Sequence, residues 1–282
     1  MAQMLTSISA LLFSVAFFVL GHGLQNTLLP LAATNAAFTE LEIGIMSSSF
    51  FAGLVAGCIG APHVIMRAGH IRAYAALVSL MSAAAILHPL LIESVAWSVI
   101  RFISGFCLAA FYMVIESWLN ERATNETRGT VMSIYVVVLF GFMMMGQVSI
   151  IGMDITSFAP FAVASVMASL AVMPIALTTT TQPAPITLVQ FRPVKLYQNS
   201  PAALVGIFLF GIANGALFTL APLYGSRIGL DNNQAAIYAA AIIGGGMLSQ
   251  WPVGRLSDMV DRRLVMMGVG IASAIVCLSV VL

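Results

Sequence analysis

The chain has 282 residues, 60% of them hydrophobic and only 7% charged, with a formal net charge of +1. A water-soluble domain needs roughly a quarter charged residues to keep its surface solvated. This composition excludes such a surface, makes lipid the main solvent and gives no basis for a nucleic-acid partner.

In chain order, nine long apolar runs cover 9–33, 43–64, 73–92, 96–119, 131–153, 160–177, 202–224, 235–253 and 264–282. A membrane helix needs about 20 apolar residues. Backbone polar groups must pair within hydrocarbon, so the runs are expected to be helices. Runs such as 161–177 do not alternate, which argues against a β-barrel. The N-terminus lacks a basic segment, so the first run is read as a span and not a cleaved signal. Cys58, Cys107 and Cys277 lie inside apolar runs without metal-ligand spacing, and are read as packing residues. No metal or cofactor is expected. The last run is still apolar at Leu282, so the chain reads as C-terminally truncated.

Lys and Arg favour the cytoplasmic side of a membrane. Nine of the eleven basic residues fall in even-numbered loops: Arg67, Arg72, Arg122, Arg128, Arg192, Lys195, Arg255, Arg262 and Arg263. Odd-numbered loops hold Glu40, Glu42, Glu93, Asp154 and Asp231, with Arg227 the basic exception. The expected topology is a cytoplasmic N-terminus with even loops inside. The sixth loop, 178–200, carries a Thr run and Gln182-Pro183-Ala184-Pro185, and reads as a linker between two bundles. Its apolar run 186–189 is too short to span and could lie along the membrane surface.

Sliding the sequence by 192 positions lays span one over span seven without a gap. Phe18 meets Phe210, Gly23 meets Gly215, and Thr27-Leu28-x-Pro30-Leu31 meets Thr219-Leu220-x-Pro222-Leu223. The register continues through Gly53 and Gly245 and into the next loop. A displacement of six spans preserves orientation, as in transporters built from two parallel halves.

The loop between spans eight and nine reads Gly254-Arg255-Leu256-Ser257-Asp258-Met259-Val260-Asp261-Arg262-Arg263. It resembles the G-x-L-x-D-R-x-G-R-R signature of the major facilitator superfamily, departing at Met259 and Asp261. The copy between spans two and three is degraded: Arg67 and Gly69 match, but Met66 replaces the acidic residue and Pro62 the first glycine. Span four carries Trp97-x-x-x-Arg101-x-x-x-Gly105-x-x-x-Ala109, which resembles a second pattern of that superfamily. The stretch Glu116-Ser117-Trp118-Leu119-Asn120-Glu121-Arg122 followed by Arg128-Gly129 is similar to its YcaD-like bacterial members. The resemblance implies an all-α, two-bundle membrane fold with about nine of twelve helices present. Its expected parts are a bundle at 1–177, a linker at 178–200 and the first half of a second bundle at 201–282. It also implies secondary transport in the plasma (inner) membrane. Asp258 with Arg262 then forms a breakable charge lock at a cytoplasmic gate, together with Gly254, Arg263, Arg67 and Gly69; the alternative is that these arginines only set topology.

Candidate cavity residues follow from polarity inside spans. His22, Gln25 and Asn26 share one face of span one, and the repeat pairs His22 with Asn214. They contact solute, or they hydrogen-bond helices together. Arg101 faces a cavity, or snorkels to the outer headgroups. Glu116 continues its stripe, and Gln147 in span five is a further lining candidate. Histidine suits proton movement because its ordinary pKa is about 6.5, so coupling through His22 with Glu116 or Arg101 is expected. These uncharged neighbours lean toward a neutral or zwitterionic small solute. The rival readings are a non-transporting membrane protein or fragment, and an intramembrane enzyme. The last is disfavoured because His63, His70 and His88 have no evident catalytic partner and no nucleotide-binding loop is present.

Overall fold

Thr39 and Asp231 each precede an apolar run and have an acid or amide three residues on, which is the sequence form of a helix N-terminus. The computed structural model, which describes residues 2–124, 126–177 and 193–281, begins a helix at each of these points. Its helices are α1 (Ala2–Asn35), α2 (Glu40–Ala68), α3 (His70–Leu90), α4 (Ser94–Arg122) and α5 (Arg128–Val148). They continue with α6 (Ala159–Ala176), the short α7 (Pro193–Asn199), α8 (Pro201–Arg227), α9 (Asn232–Met259) and α10 (Arg262–Val281). Apart from α7, these helices coincide with the nine expected spans. Among the described residues, α1–α6 and α8 hold stretches long and apolar enough to cross a membrane, and α10 adds the shorter Arg263–Ser279. The polar ends of α9 dilute its hydropathy, yet its 28 residues rise about 42 Å, more than a hydrocarbon core of about 30 Å. The molecule is a multi-pass membrane protein. The linker run 186–189 lies outside the described residues.

The 192-residue repeat recurs in backbone detail. The helices α1 and α8 end at Asn35 and Arg227, and α2 and α9 begin at Glu40 and Asn232, one offset apart in each case. Both connections contain a residue of positive φ, Ala37 (59°) and Gly229 (90°). The hydrogen bonds also correspond: Phe38 N–H to Ala33 O (3.0 Å) matches Leu230 N–H to Gly225 O (3.0 Å). Both following helices carry a full capping box, Thr39 with Glu42 and Asp231 with Gln234. A left-handed residue closing a helix, then a polar cap opening the next, forces the same reversal twice.

Packing around α1 relies on absent side chains. A Cβ on Gly23 would lie 2.2 Å from Met143 O, and one on Gly146 2.1 Å from Leu20 O, so α1 and α5 touch backbone to backbone. The same holds between α2 and α4, where Cβ atoms on Gly53 and Gly105 would lie 1.9 Å from Phe102 O and Phe50 O. Small residues at such crossings replace the hydrophobic drive that lipid does not supply. By contrast, residues along the first half of α8, including Ile207, Phe208 and Phe210, are exposed on all sides. Much of α10 is exposed in the same way.

Contacts between α1–α6 and α8–α9 concentrate at the odd-loop end. Ala235 and Ala236 are fully buried in a cluster with Leu28, Leu29, Ile150 and Ile155. Glu40 pairs with Arg227, and Gly152 N–H donates to Asn233 Oδ1 (3.3 Å).

Candidate substrate site

The polar face of α1 meets α2 and α4 where their glycine crossing brings the backbones together. There the side chains stack in a column. Phe111 lies against Phe18 with ring centroids 3.8 Å apart, Phe18 is followed by His22 (6.5 Å), and His22 by Phe50 (5.7 Å). The Arg101 guanidinium covers the Phe50 ring, with Cζ 4.0 Å from the centroid. Phe50 thus adjoins both an imidazole and a guanidinium.

Arg101 is 2% exposed, which rules out the snorkelling alternative. Its Nε and Nη1 have no hydrogen-bond partner, and no carboxylate pairs with it among the described residues. Removing an ion from water costs several kcal/mol, whereas a desolvated cation–π contact returns about 2 kcal/mol. The Phe50 ring alone therefore leaves the charge under-compensated.

The neighbouring polar groups are buried and similarly short of partners. His22 Nε2 lies 3.4 Å from Asn26 Nδ2, while Nδ1 has no partner. Gln25 Oε1, Thr27 Oγ1, Ser47 Oγ and Gln147 Oε1 are also unpaired within the protein. Gln147 follows Gly146, so it sits where α5 is pressed against Leu20 and Leu24 of α1. Native interiors leave few buried polar atoms unpaired. His22 and Arg101 adjoin the same Phe50 ring, and Gln147 follows the glycine pressed on Leu20 and Leu24, an arrangement that suits a site for a polar solute.

Sequence reasoning missed part of this site. Phe50 looks like any apolar residue of a span. His88 is fully buried in the last turn of α3: its Nδ1 bonds Ala84 O (2.7 Å), its ring meets Trp97 edge-on (5.2 Å), and its carbonyl accepts from Trp97 Nε1 (2.9 Å). Its Nε2 is unpartnered. The tryptophan four residues before Arg101 was the signal, because i and i+4 share a helix face.

Other candidates lie elsewhere. Glu116 is fifteen residues along α4 from Arg101, a rise of about 22 Å, too far for a direct ion pair. It is exposed and accepts from Tyr135 Oη (3.2 Å). Gly105 and Ala109 of the same stripe serve the α2 crossing: Gly105 abuts Phe50, and Ala109 Cβ lies 2.7 Å from a Cβ placed on Gly57. Asn214 is half-buried on α8 beside Gly215, where an added Cβ would lie 3.1 Å from the Phe51 ring. In the gate motif, the side chains of Asp258 and Arg262 lie outside the described residues. Gly254 has open space around it, and Arg263 N–H donates to Asp261 Oδ1 (2.8 Å). Arg67 is exposed in the last turn of α2, and Gly69, at φ 79°, turns the chain into α3. No group of metal ligands occurs among the described residues.

The model of the Major Facilitator Superfamily matches residues 11–282. The chain is 27% identical over 271 residues to an uncharacterized MFS-type transporter, YcaD, of Salmonella arizonae, covering 92% of this chain and 68% of that one. It is 29% identical over 267 residues to its Escherichia fergusonii namesake, covering 91% and 68%. Among solved structures it resembles the nucleoside transporter NupG (D323A mutant), with TM-score 0.72 and 14% identity over 93% of this chain and 70% of that one. It also resembles a D-xylose-proton symporter, with TM-score 0.60 and 14% identity over 90% and 69%.

Proposed function

The chain belongs to the Major Facilitator Superfamily and is a membrane transporter, and from that premise we propose that it carries a small solute by alternating access. The moving parts in this reading are a bundle at 1–177 and a second group at 201–282, joined by the linker 178–200. The observation that carries it is the buried, partner-poor cluster of His22, Gln25, Arg101 and Gln147. The packing of Ala235 and Ala236 of α9 against α1 and the α5–α6 connection at the odd-loop end adds support. With even loops cytoplasmic, as the basic residues favour, the N-terminus lies on the cytoplasmic side of the bacterial inner membrane.

Proton coupling belongs to the same reading. His22 is the cluster's α1 imidazole, the side-chain type whose ordinary pKa is near neutrality, and its Nδ1 has no partner within the protein. Glu116 stands too far along α4 to act as its direct partner.

A solute uptake and efflux screen in vesicles, comparing this chain with empty membranes, tests the transport reading. Gln25→Leu installs the residue found at the equivalent position of the second copy, Leu217. It should abolish uptake while leaving helix content and expression unchanged. Undiminished uptake would remove Gln25 and the cluster from the solute path. Persistence of pH-driven uptake in His22→Gln would remove the proton role alone.

A further inference from the structure

Resting on the solute-site reading, we propose that the Arg101 cluster is an anion site, and that the solute is a small organic carboxylate bearing hydroxyl or amino hydrogens. This narrows the neutral or zwitterionic solute that the uncharged span residues suggest to one that carries a carboxylate. The guanidinium is 2% exposed, with Nε and Nη1 unpartnered. The charged and titratable groups around it do not neutralise it. On α1 stands His22, stacked against Phe50. On α3, His88 contacts Trp97, and its free Nε2 lies in the same interior.

Carboxylates on the neighbouring helices are committed elsewhere. Glu42 of α2 accepts from Thr39 and Ser94 at the helix ends, eight residues and about 12 Å of rise from Phe50. Glu93 caps α4 through Val95 and Ala96 N–H. Glu116 lies about 22 Å away along the same helix and accepts from Tyr135. A bound carboxylate would supply the acceptors that Arg101 lacks, as charge-assisted hydrogen bonds. The unpaired amide oxygens of Gln25 and Gln147 are acceptors in turn. They call for a ligand that also donates, which favours hydroxy- or amino-carboxylates over inorganic anions. The column is closed over in this state, so binding requires α8 to move from Phe51 or side chains to turn. The half-buried Phe51 and Asn214 mark that edge of the cluster.

Trp97 reports on the site, because it shares the Arg101 face of α4 and touches His88. The test uses the full chain in detergent with Trp118→Phe and Trp251→Phe, leaving Trp97 as the single tryptophan of the three. Its fluorescence is titrated with lactate, glycerate, acetate and inorganic phosphate, and with the uncharged lactamide and glycerol. Lactate and glycerate should bind, phosphate and acetate more weakly, and lactamide at least about thirty-fold more weakly than lactate. Arg101→Gln should weaken lactate by a similar factor with unchanged helical circular dichroism, and Arg101→Lys by about tenfold. Should Arg101→Gln fail to fold, the lactate–lactamide pair in the unaltered site still decides the matter. Failure of every carboxylate to bind, or equal binding of lactate and lactamide, overturns the anion assignment. Binding of the uncharged ligands alone would do so while leaving the solute-site reading in place. Tighter binding of phosphate than of lactate would overturn the carboxylate class.

Discussion

The helix pairs α1–α2 and α8–α9 are two copies of one backbone with different chemistry and different surroundings. Their helix ends, positive-φ linkers and capping boxes recur at a constant offset of 192. Their polar load does not. His22, Gln25, Asn26, Ser47 and Phe50 of the first copy correspond in sequence to Asn214, Leu217, Phe218, Ala239 and Ile242 of the second. Local sequence therefore determines where each helix starts and stops, whereas burial is set by what packs beside it. Phe18 is 1% exposed and its equivalent, Phe210, is 67% exposed. The scaffold is repeated; the buried polar side chains are concentrated on one copy.

The largest expected difference between the copies concerns their matched glycines. A Cβ on Gly53 would lie 1.9 Å from the Phe102 carbonyl oxygen, a backbone atom that cannot swing away, whereas Gly245 has open space. Gly53→Ala should destabilise by about 3 kcal/mol or more, at the upper end of overpacking effects. Gly245→Ala should stabilise by up to about 1 kcal/mol through helix propensity. Thermal denaturation in detergent checks both, and equal responses would break the comparison.

Capping should act alike in the two copies. Thr39→Ala and Asp231→Ala each remove a side-chain acceptor from a helix N-terminus. Each should cost about 1 kcal/mol, measurable as faster hydrogen exchange in the first turns of α2 and α9. A large effect in one copy only would mean that tertiary packing, and not the cap, fixes that start.

The smallest effect should have opposite signs. Ala37 sits at φ 59°, where a Cβ is strained, while the second copy uses Gly229. Ala37→Gly should be neutral to stabilising by about 1 kcal/mol, and Gly229→Ala destabilising by about 1 kcal/mol. Differential scanning measurements on the two variants would resolve the sign.

The helices, loops and repeat were legible in the sequence because they depend on run length, loop charge and local caps. The α1 part of the site was legible too, since polar residues inside a span are conspicuous. Phe50 was not, because a stacking platform and a lipid-facing ring look alike in sequence. Arg101 left two readings open, since its depth depends on the α2 crossing that Gly53 and Gly105 permit. The stripe from Arg101 to Glu116 joined residues on one face but about 22 Å apart. Helical periodicity gives direction around the axis, not proximity along it.

The most direct test of the account concerns access to the site when the odd-loop end is held shut. Glu40 and Arg227 form an ion pair across that end. Glu40→Cys and Arg227→Cys, joined by a short bifunctional thiol cross-linker, would hold it closed in a background with Cys58, Cys107 and Cys277 changed to Ser. A further cysteine, at Asn26, is protected during cross-linking or introduced by a caged thiol, then offered a membrane-impermeant reagent from either side. The account expects modification from the even-loop side alone, together with loss of transport that cleaving the cross-link restores. Modification of Asn26→Cys from the odd-loop side in the cross-linked protein would contradict it.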